Sequence, residues 1–388
     1  MEEEWEKVIF SRIGNKCYFN QMELKGKKCL FMVQGEGRGH MTQSTAMKTI
    51  IEQAGMELCG VLIGKSERRV IPDFYYSKIG APITTISSPN FETDKKGKSI
   101  KTLPSLIKNI HDVPVFMESL KVIDKKIKEL KPDLIINFYE PLCGIHYMLH
   151  RPKTPMISIA HQNIFLYKSF HMPDGPAMAK SGLKAYTSLT AIGAKRRLAL
   201  SLYPYPDDKR RALYAVPPLL RKEALEQKTT TGNYLLVYLL NSGYMDDIIA
   251  WHKKNPSVEL HCFTDKTGIE ETTKYDDTLF FHKINDKKFL DLMAGSKGLA
   301  STAGFESICE AMYMGKPVLM VPVDGHYEQF CNSRDAAKAG AGIYDTHFNL
   351  DAFLAYLATY KPNKEYKEWV DKSAALITEH IRRAMRKG

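Results

Sequence analysis

The sequence predicts an α/β protein of two Rossmann-like domains whose parallel sheets face one another across a cleft. Three observations carry that expectation. Short continuous Val/Ile/Leu runs alternate with amphipathic stretches, the pattern of parallel strands covered by helices on both faces. The alternation begins at Lys28, breaks in a Pro-rich stretch after about residue 205, and restarts near Asn233. A length of 388 residues suits two domains better than one.

Residues 1–26 read as an N-terminal arm without recognisable chemistry, and 27–205 as the first domain. In it CLFMVQ (29–34) is a buried strand, GEGRGH (35–40) a glycine-rich turn, and 41–55 a helix stopped at Gly55. ELCGVLIG (57–64) and APITTIS (81–87) follow as strands. SLKVIDKKIKELKP (119–132) is a helix ended by Pro132, leading to the strands DLIINF (133–138) and PMISIA (155–160). Residues 206–230, rich in Pro, form the expected linker. The second domain, 231–350, opens with the strand NYLLVYLL (233–240) and continues through VELHCFTD (258–265) and TLFFHKI (278–284). KGLAST (297–302) is a strand running into the helix FESICEAMYMG (305–315), and KPVLMVPV (316–323) follows it. Residues 351–388 read as C-terminal helices ending in a basic stripe.

Composition narrows the partners. The net charge of +11 favours an anionic one: nucleic acid, an acidic membrane surface or a phosphorylated ligand. Aromatics do not interleave with the basic residues as a base-stacking platform requires, so no nucleic acid is expected. The seven cysteines are scattered and form no CxxC, which implies reduced thiols and no zinc site. MEEEWEKVIF is acidic and interrupted, unlike a signal peptide, and no apolar run approaches the roughly 18 residues of a membrane span. The expected compartment is the cytoplasm, with contact to the inner face of the membrane. That contact is expected from KKGKSIK (95–101), from an interfacial helix within 179–200, and from an apolar loop NIFLYKSF (163–170).

The most informative stretch is STAGFESICEAMYMGKPVLMVPVDGHYEQFCNS, residues 301–333. A strand ending in Ser301-Thr302-Ala303-Gly304 feeds a helix whose free N–H groups and dipole suit a diphosphate. Gly304 permits close backbone approach, and Ser301, Thr302 and Ser307 offer hydroxyls. Glu310 can accept from both hydroxyls of a ribose, as the acidic residue of dinucleotide folds does. Beyond the next strand Glu328, Gln329 and Asn332 gather at a loop-to-helix junction, where they can grip sugar hydroxyls.

This run resembles the donor-binding signature of the UDP-glycosyltransferases and of the MurG-like transferases that add GlcNAc to lipid-linked muramyl peptide. In that pattern Gly304 and Ser307 match the phosphate turn and Glu310 the ribose carboxylate. Gly315-Lys316-Pro317 matches the strand entry, and Glu328-Gln329 with Asn332 the acidic-Gln-xx-Asn element. Two positions depart from it: Thr302 stands where many relatives carry a phosphate-binding His, and Glu306 where many carry Asn. Ser242 and Gly243, after the second domain's first strand, fall where relatives place a loop near the phosphates. His282 and the backbone of Ile284 fall where the family binds the base. The resemblance implies a GT-B fold with the donor in the C-terminal half.

The N-terminal turn Gly35-Glu36-Gly37-Arg38-Gly39-His40 fails the dinucleotide fingerprint, because its sixth residue is His and no acidic ribose ligand follows the second strand. It is similar instead to the Gly-His of glycosyltransferase N-terminal domains, in which the His is the acceptor base; Gly37 and Gly39 then belong to the acceptor site. The Pro that often stands three residues beyond that His is Gln43 here. A base needs an orienting partner, and Glu140 is the candidate, with Asn137 a neutral substitute. His161 is assigned to the acceptor-site lining.

The resulting expectation is an inverting hexosyltransferase moving a sugar from a nucleoside-diphosphate sugar, UDP by resemblance, to a sugar or lipid-linked acceptor hydroxyl. No cofactor or metal is called for, because no Asp-x-Asp pair ends a strand. Retaining relatives carry two glutamates with seven residues between them, and counted back from Glu310 the first would fall at Thr302. A nucleotide-sugar 2-epimerase of the same fold and a non-enzymatic binder of anionic surfaces or nucleic acid are the alternatives.

Overall fold

The computed structural model describes residues 23–66, 69–89, 92–93, 100–101, 112–239, 242–266 and 268–386. Most of the N-terminal arm and of KKGKSIK lies outside them.

Seven parallel strands form the first sheet. They are β1 (Lys28–Gln34), β2 (Glu57–Lys65), β3 (Ile83–Ser87), β6 (Leu134–Phe138), β7 (Met156–Ala160), β8 (Arg196–Leu200) and β9 (Leu213–Val216). Their order is β3-β2-β1-β6-β7-β8-β9, while β4 (Glu92–Thr93) and β5 (Ile100–Lys101) make a separate antiparallel pair. Helices α1 (Arg38–Gln53), α2 (Asp73–Ile79), α3 (Val113–Leu130), α4 (Pro141–His150) and α5 (Ala177–Thr190) alternate with the strands. Both faces of the sheet are covered, so its central strands are mostly apolar: every residue of β6 and β7 is buried, the polar Asn137 and Ser158 included.

The second sheet has the order β12-β13-β11-β10-β14-β15-β16. It comprises β10 (Tyr234–Leu239), β11 (Glu259–Thr264), β12 (Thr272–Lys274), β13 (Leu279–Lys283), β14 (Gly298–Thr302), β15 (Val318–Val321) and β16 (Gly342–Tyr344), with only β12 antiparallel. After the short α6 (Lys222–Leu225), its helices are α7 (Met245–Lys254), α8 (Asp286–Gly295), α9 (Phe305–Tyr313), α10 (Tyr327–Lys338) and α11 (Leu350–Leu357). Helices α12 (Lys364–Asp371) and α13 (Ser373–Met385) return to the first domain. There Trp369 Nε1 donates to the Ser201 carbonyl at 2.8 Å and Arg196 Nε to His380 Nδ1 at 2.8 Å.

Two stretches differ from expectation. The segment read as a linker contains β9, the edge strand of the first sheet, whose four residues are all buried; LYAV between prolines is too short to announce a strand by periodicity. NIFLYKSF is no exposed membrane loop. It begins in a 3₁₀ turn (His161–Leu166), and Ile164, Phe165, Tyr167 and Phe170 are buried against Ala199, Leu213 and Cys331. Within 179–200 the helix is α5, which runs to Thr190 and buries only Thr187 and Thr190; a turn and β8 follow.

Both sheets reverse strand order beside their first strand, between β1 and β6 and between β10 and β14. Ligands of open α/β sheets bind beyond the carboxyl ends of the strands at such a switch point.

Candidate active site

The switch points present the predicted turns to one another. On the first domain, residues 35–37 join β1 to α1, and Gly37 is its exposed N-cap, with no atom within 4 Å of where a Cβ would stand. His40 lies in the first turn of α1, half-buried. Its ring stacks on Tyr139 at 5.3 Å between centroids, and its Nδ1 lies 3.3 Å from Gln43 Oε1. Burial pulls the imidazole pKa down to about 4 against the opposing pull of the Gln43 bond, so the ring is neutral at physiological pH and able to accept a proton. Tyr139, which no pattern singled out, sits just beyond β6 at φ 64°, a left-handed conformation costly for a large side chain. Its hydroxyl is anchored 2.9 Å from Thr187 Oγ1.

Glu140 does not hydrogen-bond His40. It caps α4, with Oε1 accepting from Leu142 N at 3.0 Å and from Ser88 Oγ at 2.6 Å. Its Oε2 is buried without a partner, and burial raises the carboxyl to about 7. Asn137 receives the Glu140 backbone N–H and donates to the Thr190 carbonyl, so it braces this turn rather than the imidazole.

On the second domain, β14 ends at Thr302 and α9 starts after its N-cap Gly304. A Cβ on Gly304 would meet nothing closer than 3.9 Å, so the mouth of the helix is open to a ligand. Ser307 Oγ turns inward to the Gly304 carbonyl and Ser301 Oγ to the Thr302 carbonyl. Thr302 Oγ1 is buried with no hydrogen-bond partner, an unmet demand at the site expected for phosphate. Ser242 and Gly243 form a 3₁₀ turn with Tyr244 beyond β10.

Glu310 is 2% exposed and is clamped by Arg221, whose Nε and Nη2 reach its two oxygens at 2.6 and 2.7 Å. Arg221 also lies 3.5 Å from Asp286, which in turn approaches Arg38 of the first domain at 4.0 Å. A carboxylate has about four acceptor directions, so the clamp leaves about two for ribose hydroxyls. His282 is enclosed in the sheet, between His261 Nδ1 at 2.9 Å and Thr272 Oγ1 at 3.2 Å, while Ile284 is half-buried just past β13.

The remaining residues meet at the domain interface. His161, expected in the acceptor-site lining, is buried there, stacked on Phe305 at 3.7 Å. Its Nδ1 donates to the Leu200 carbonyl at 2.9 Å and its Nε2 lies 2.8 Å from the Asn332 side-chain amide. Glu328 accepts from Gln162 across the interface at 3.0 Å, and burial raises its pKa. Gln329 folds back to accept from Val323 N at 2.8 Å. Gln43 Nε2 also crosses, donating to Glu306. Among the described residues one group has metal-ligating geometry, Asp124 with His146 and His150, its ligand atoms all within 4.8 Å of one another. It lies far along α3 and α4 from the strand ends that form the cleft.

A model of glycosyl transferase family 1 matches residues 27–360. The chain belongs to that family. It is similar to an uncharacterized glycosyltransferase of Methanosarcina acetivorans, 26% identical over 339 residues and covering 81% of this chain and 82% of the relative. It is also similar to the UDP-N-acetylglucosamine–N-acetylmuramyl-(pentapeptide) pyrophosphoryl-undecaprenol N-acetylglucosamine transferase of Latilactobacillus sakei. That match is 21% identical over 310 residues, with 75% of this chain and 79% of the relative covered. Among solved structures, Arabidopsis thaliana UGT89C1 complexed with UDP-L-rhamnose superposes with a TM-score of 0.60 at 14% identity, covering 93% and 99% of the two chains. The fold is GT-B and the protein is a glycosyltransferase.

Proposed function

We propose that the enzyme moves a hexose, with inversion, from a nucleoside-diphosphate sugar to an acceptor hydroxyl. The observation that carries this reading is the opposition of two switch points: a neutral imidazole on one, an open helix N-terminus with an unsatisfied hydroxyl on the other. In the reaction, His40 Nε2 takes the proton of the acceptor hydroxyl as its oxygen bonds to the anomeric carbon. The bond from that carbon to the phosphate oxygen breaks, and its electron pair leaves with the nucleoside diphosphate. The N–H groups of α9 and Thr302 Oγ1 receive the developing charge, so the role is assigned to the chain's own dipoles without a metal. Glu310, held by Arg221, is assigned to the ribose, and Glu328, Gln329 and Asn332 to the sugar. UDP is the favoured nucleotide and a lipid-linked sugar the favoured acceptor, by analogy with the Latilactobacillus enzyme's name.

The test is His40→Ala with UDP-hexoses as donors and UDP release as readout. Turnover is expected to fall by about two to four orders of magnitude, with UDP affinity by calorimetry near wild type. A variant of full activity would remove His40 from the mechanism. Recovery of an altered sugar from donor alone would favour the epimerase instead.

A further inference from the structure

Gln43 and Glu306, one on each side of the cleft and both departures from the family pattern, touch each other. Gln43 Nε2 donates to Glu306 Oε1, and the other end of the same amide, Oε1, faces His40 Nδ1 at 3.3 Å. An amide that spends its N–H on a carboxylate can offer only its carbonyl to the imidazole. His40 must then carry its proton on Nδ1, which leaves Nε2 as the lone-pair nitrogen. We infer that Gln43 and Glu306 are positioning residues, a relay from the second domain that fixes the His40 tautomer and ring orientation required of the acceptor base.

Three further facts bear on the relay. Glu140, the carboxylate expected to orient His40, is committed to Ser88 and the cap of α4, so His40 needs another orienting group. Gly39 makes room for Glu306: a Cβ there would stand 2.5 Å from Glu306 Oε2. The ring's opposite constraint is Tyr139, stacked on its face. Because His40 and Gln43 belong to α1 and Glu306 to α9, the base is oriented only while the two domains hold this relation. An open cleft would leave His40 free to adopt either tautomer.

The inference rests on His40 being the base, and the experiment separates the two ideas. Nitrogen-15 NMR of the full-length protein, with the His40 signals assigned by their loss in His40→Ala, reads the tautomer directly. The wild type is expected to be protonated on Nδ1, and Gln43→Leu and Glu306→Leu to shift population to protonation on Nε2. A wild type already protonated on Nε2 would overturn the relay. In turnover, measured as UDP release from UDP-hexoses with water as acceptor, each Leu variant is expected to lose about ten-fold in kcat. The donor KM should hold and the double variant be no worse than either single one. Glu306→Gln keeps an acceptor for Gln43 but no longer dictates which way the amide points, so it should fall between wild type and Glu306→Leu. Gly39→Ala, which crowds the carboxylate without deleting a hydrogen-bonding group, should mimic Glu306→Leu. Additive losses, or kcat unchanged in both Leu variants beside an inactive His40→Ala, would overturn the relay alone. Full turnover in His40→Ala would overturn the base assignment and the relay's purpose with it.

Discussion

Glu310, proposed above to take the donor ribose, also holds the fold together through Arg221. Arg221 is 7% exposed and its Nε and Nη2 are satisfied by Glu310, so removing the carboxylate leaves a buried cation with two unmet donors and Asp286, 3.5 Å away, as its nearest counter-charge. Glu310→Ala is therefore expected to destabilise the protein by about 3–5 kcal/mol in denaturant titration, and replacing Arg221 by Met as well should recover much of the loss. Donor binding must be read from the milder Glu310→Gln. His40 gives a second expectation at this scale. Its folded pKa of about 4 lies below its ordinary value of 6.5, so the neutral form persists as pH falls until about 4. Protonation of the ring should accordingly set an acid limb of kcat/KM near pH 4, while Glu306, which burial raises to about 7, adds a shallower step near that pH as it ceases to fix the Gln43 amide; a step near 6.5 that persists in Glu306→Leu would show that the ring is solvated in the working enzyme. The same sign applies to stability: the unfolded chain takes up this proton at 6.5 and the folded chain does not. This contribution is present above that pH and is lost as pH falls toward 4. The reverse holds for Glu140. Its folded pKa of about 7 exceeds 4.5, so it detracts from stability increasingly as pH rises through that interval. Glu140→Gln should gain on the wild type in melting temperature from pH 5 to pH 8.

At the scale of elements, the site is made by strand ends and helix starts. The N-terminus of α9 carries Thr302 Oγ1 unsatisfied and the open side of Gly304. Thr302→Val removes that hydroxyl at nearly constant volume. It is expected to leave the unliganded protein as stable as before or slightly more so, since a buried orphan is deleted, yet to weaken UDP binding by roughly ten-fold, the worth of a charge-assisted hydrogen bond. Loss of stability with unchanged UDP affinity would mean that the hydroxyl serves the fold alone. These turns were legible in the sequence because each is local: a strand, a Gly- or Ser-rich turn and a helix follow one another within about ten residues. The partners of the turns were not legible. Arg221 lies 89 residues before Glu310, in a stretch that reads as linker, and Gln43 lies 263 residues before Glu306. Neither pairing leaves a trace in hydrophobic period or spacing. His282 reads as a cleft residue at a strand end, but the register of β11 against β13 and of β12 against β13 encloses it between His261 and Thr272. Register between non-adjacent segments is a property of the packed sheet.

At the scale of the whole molecule, acceptor access decides what the enzyme can act upon. The aromatic run at 163–170 is core, which removes one motive for membrane contact, but another surface supplies one. The first turns of α3 expose Val113, Val115 and Met117 by 49, 48 and 48%. Chain direction puts this end of α3 at the cleft, because α3 runs back toward the start of β6. Exposed apolar side chains at the rim of the domain assigned to the acceptor, on a protein of net charge +11, fit an anionic bilayer carrying the acceptor. Among the described residues no helix is long and apolar enough to cross a membrane, so the contact expected is peripheral. Each Lys or Arg near an anionic surface contributes about 1 kcal/mol, and that contribution decays over a Debye length of about 8–10 Å at physiological salt. The protein is therefore expected to co-sediment with vesicles containing anionic lipid at low salt and to be released at high salt. Changing Val113, Val115 and Met117 together to Ser should weaken the binding without altering UDP affinity, since α3 takes no part in the donor site. Absence of vesicle binding at low salt would point to a soluble acceptor. Binding insensitive to the triple change would place the contact on another face.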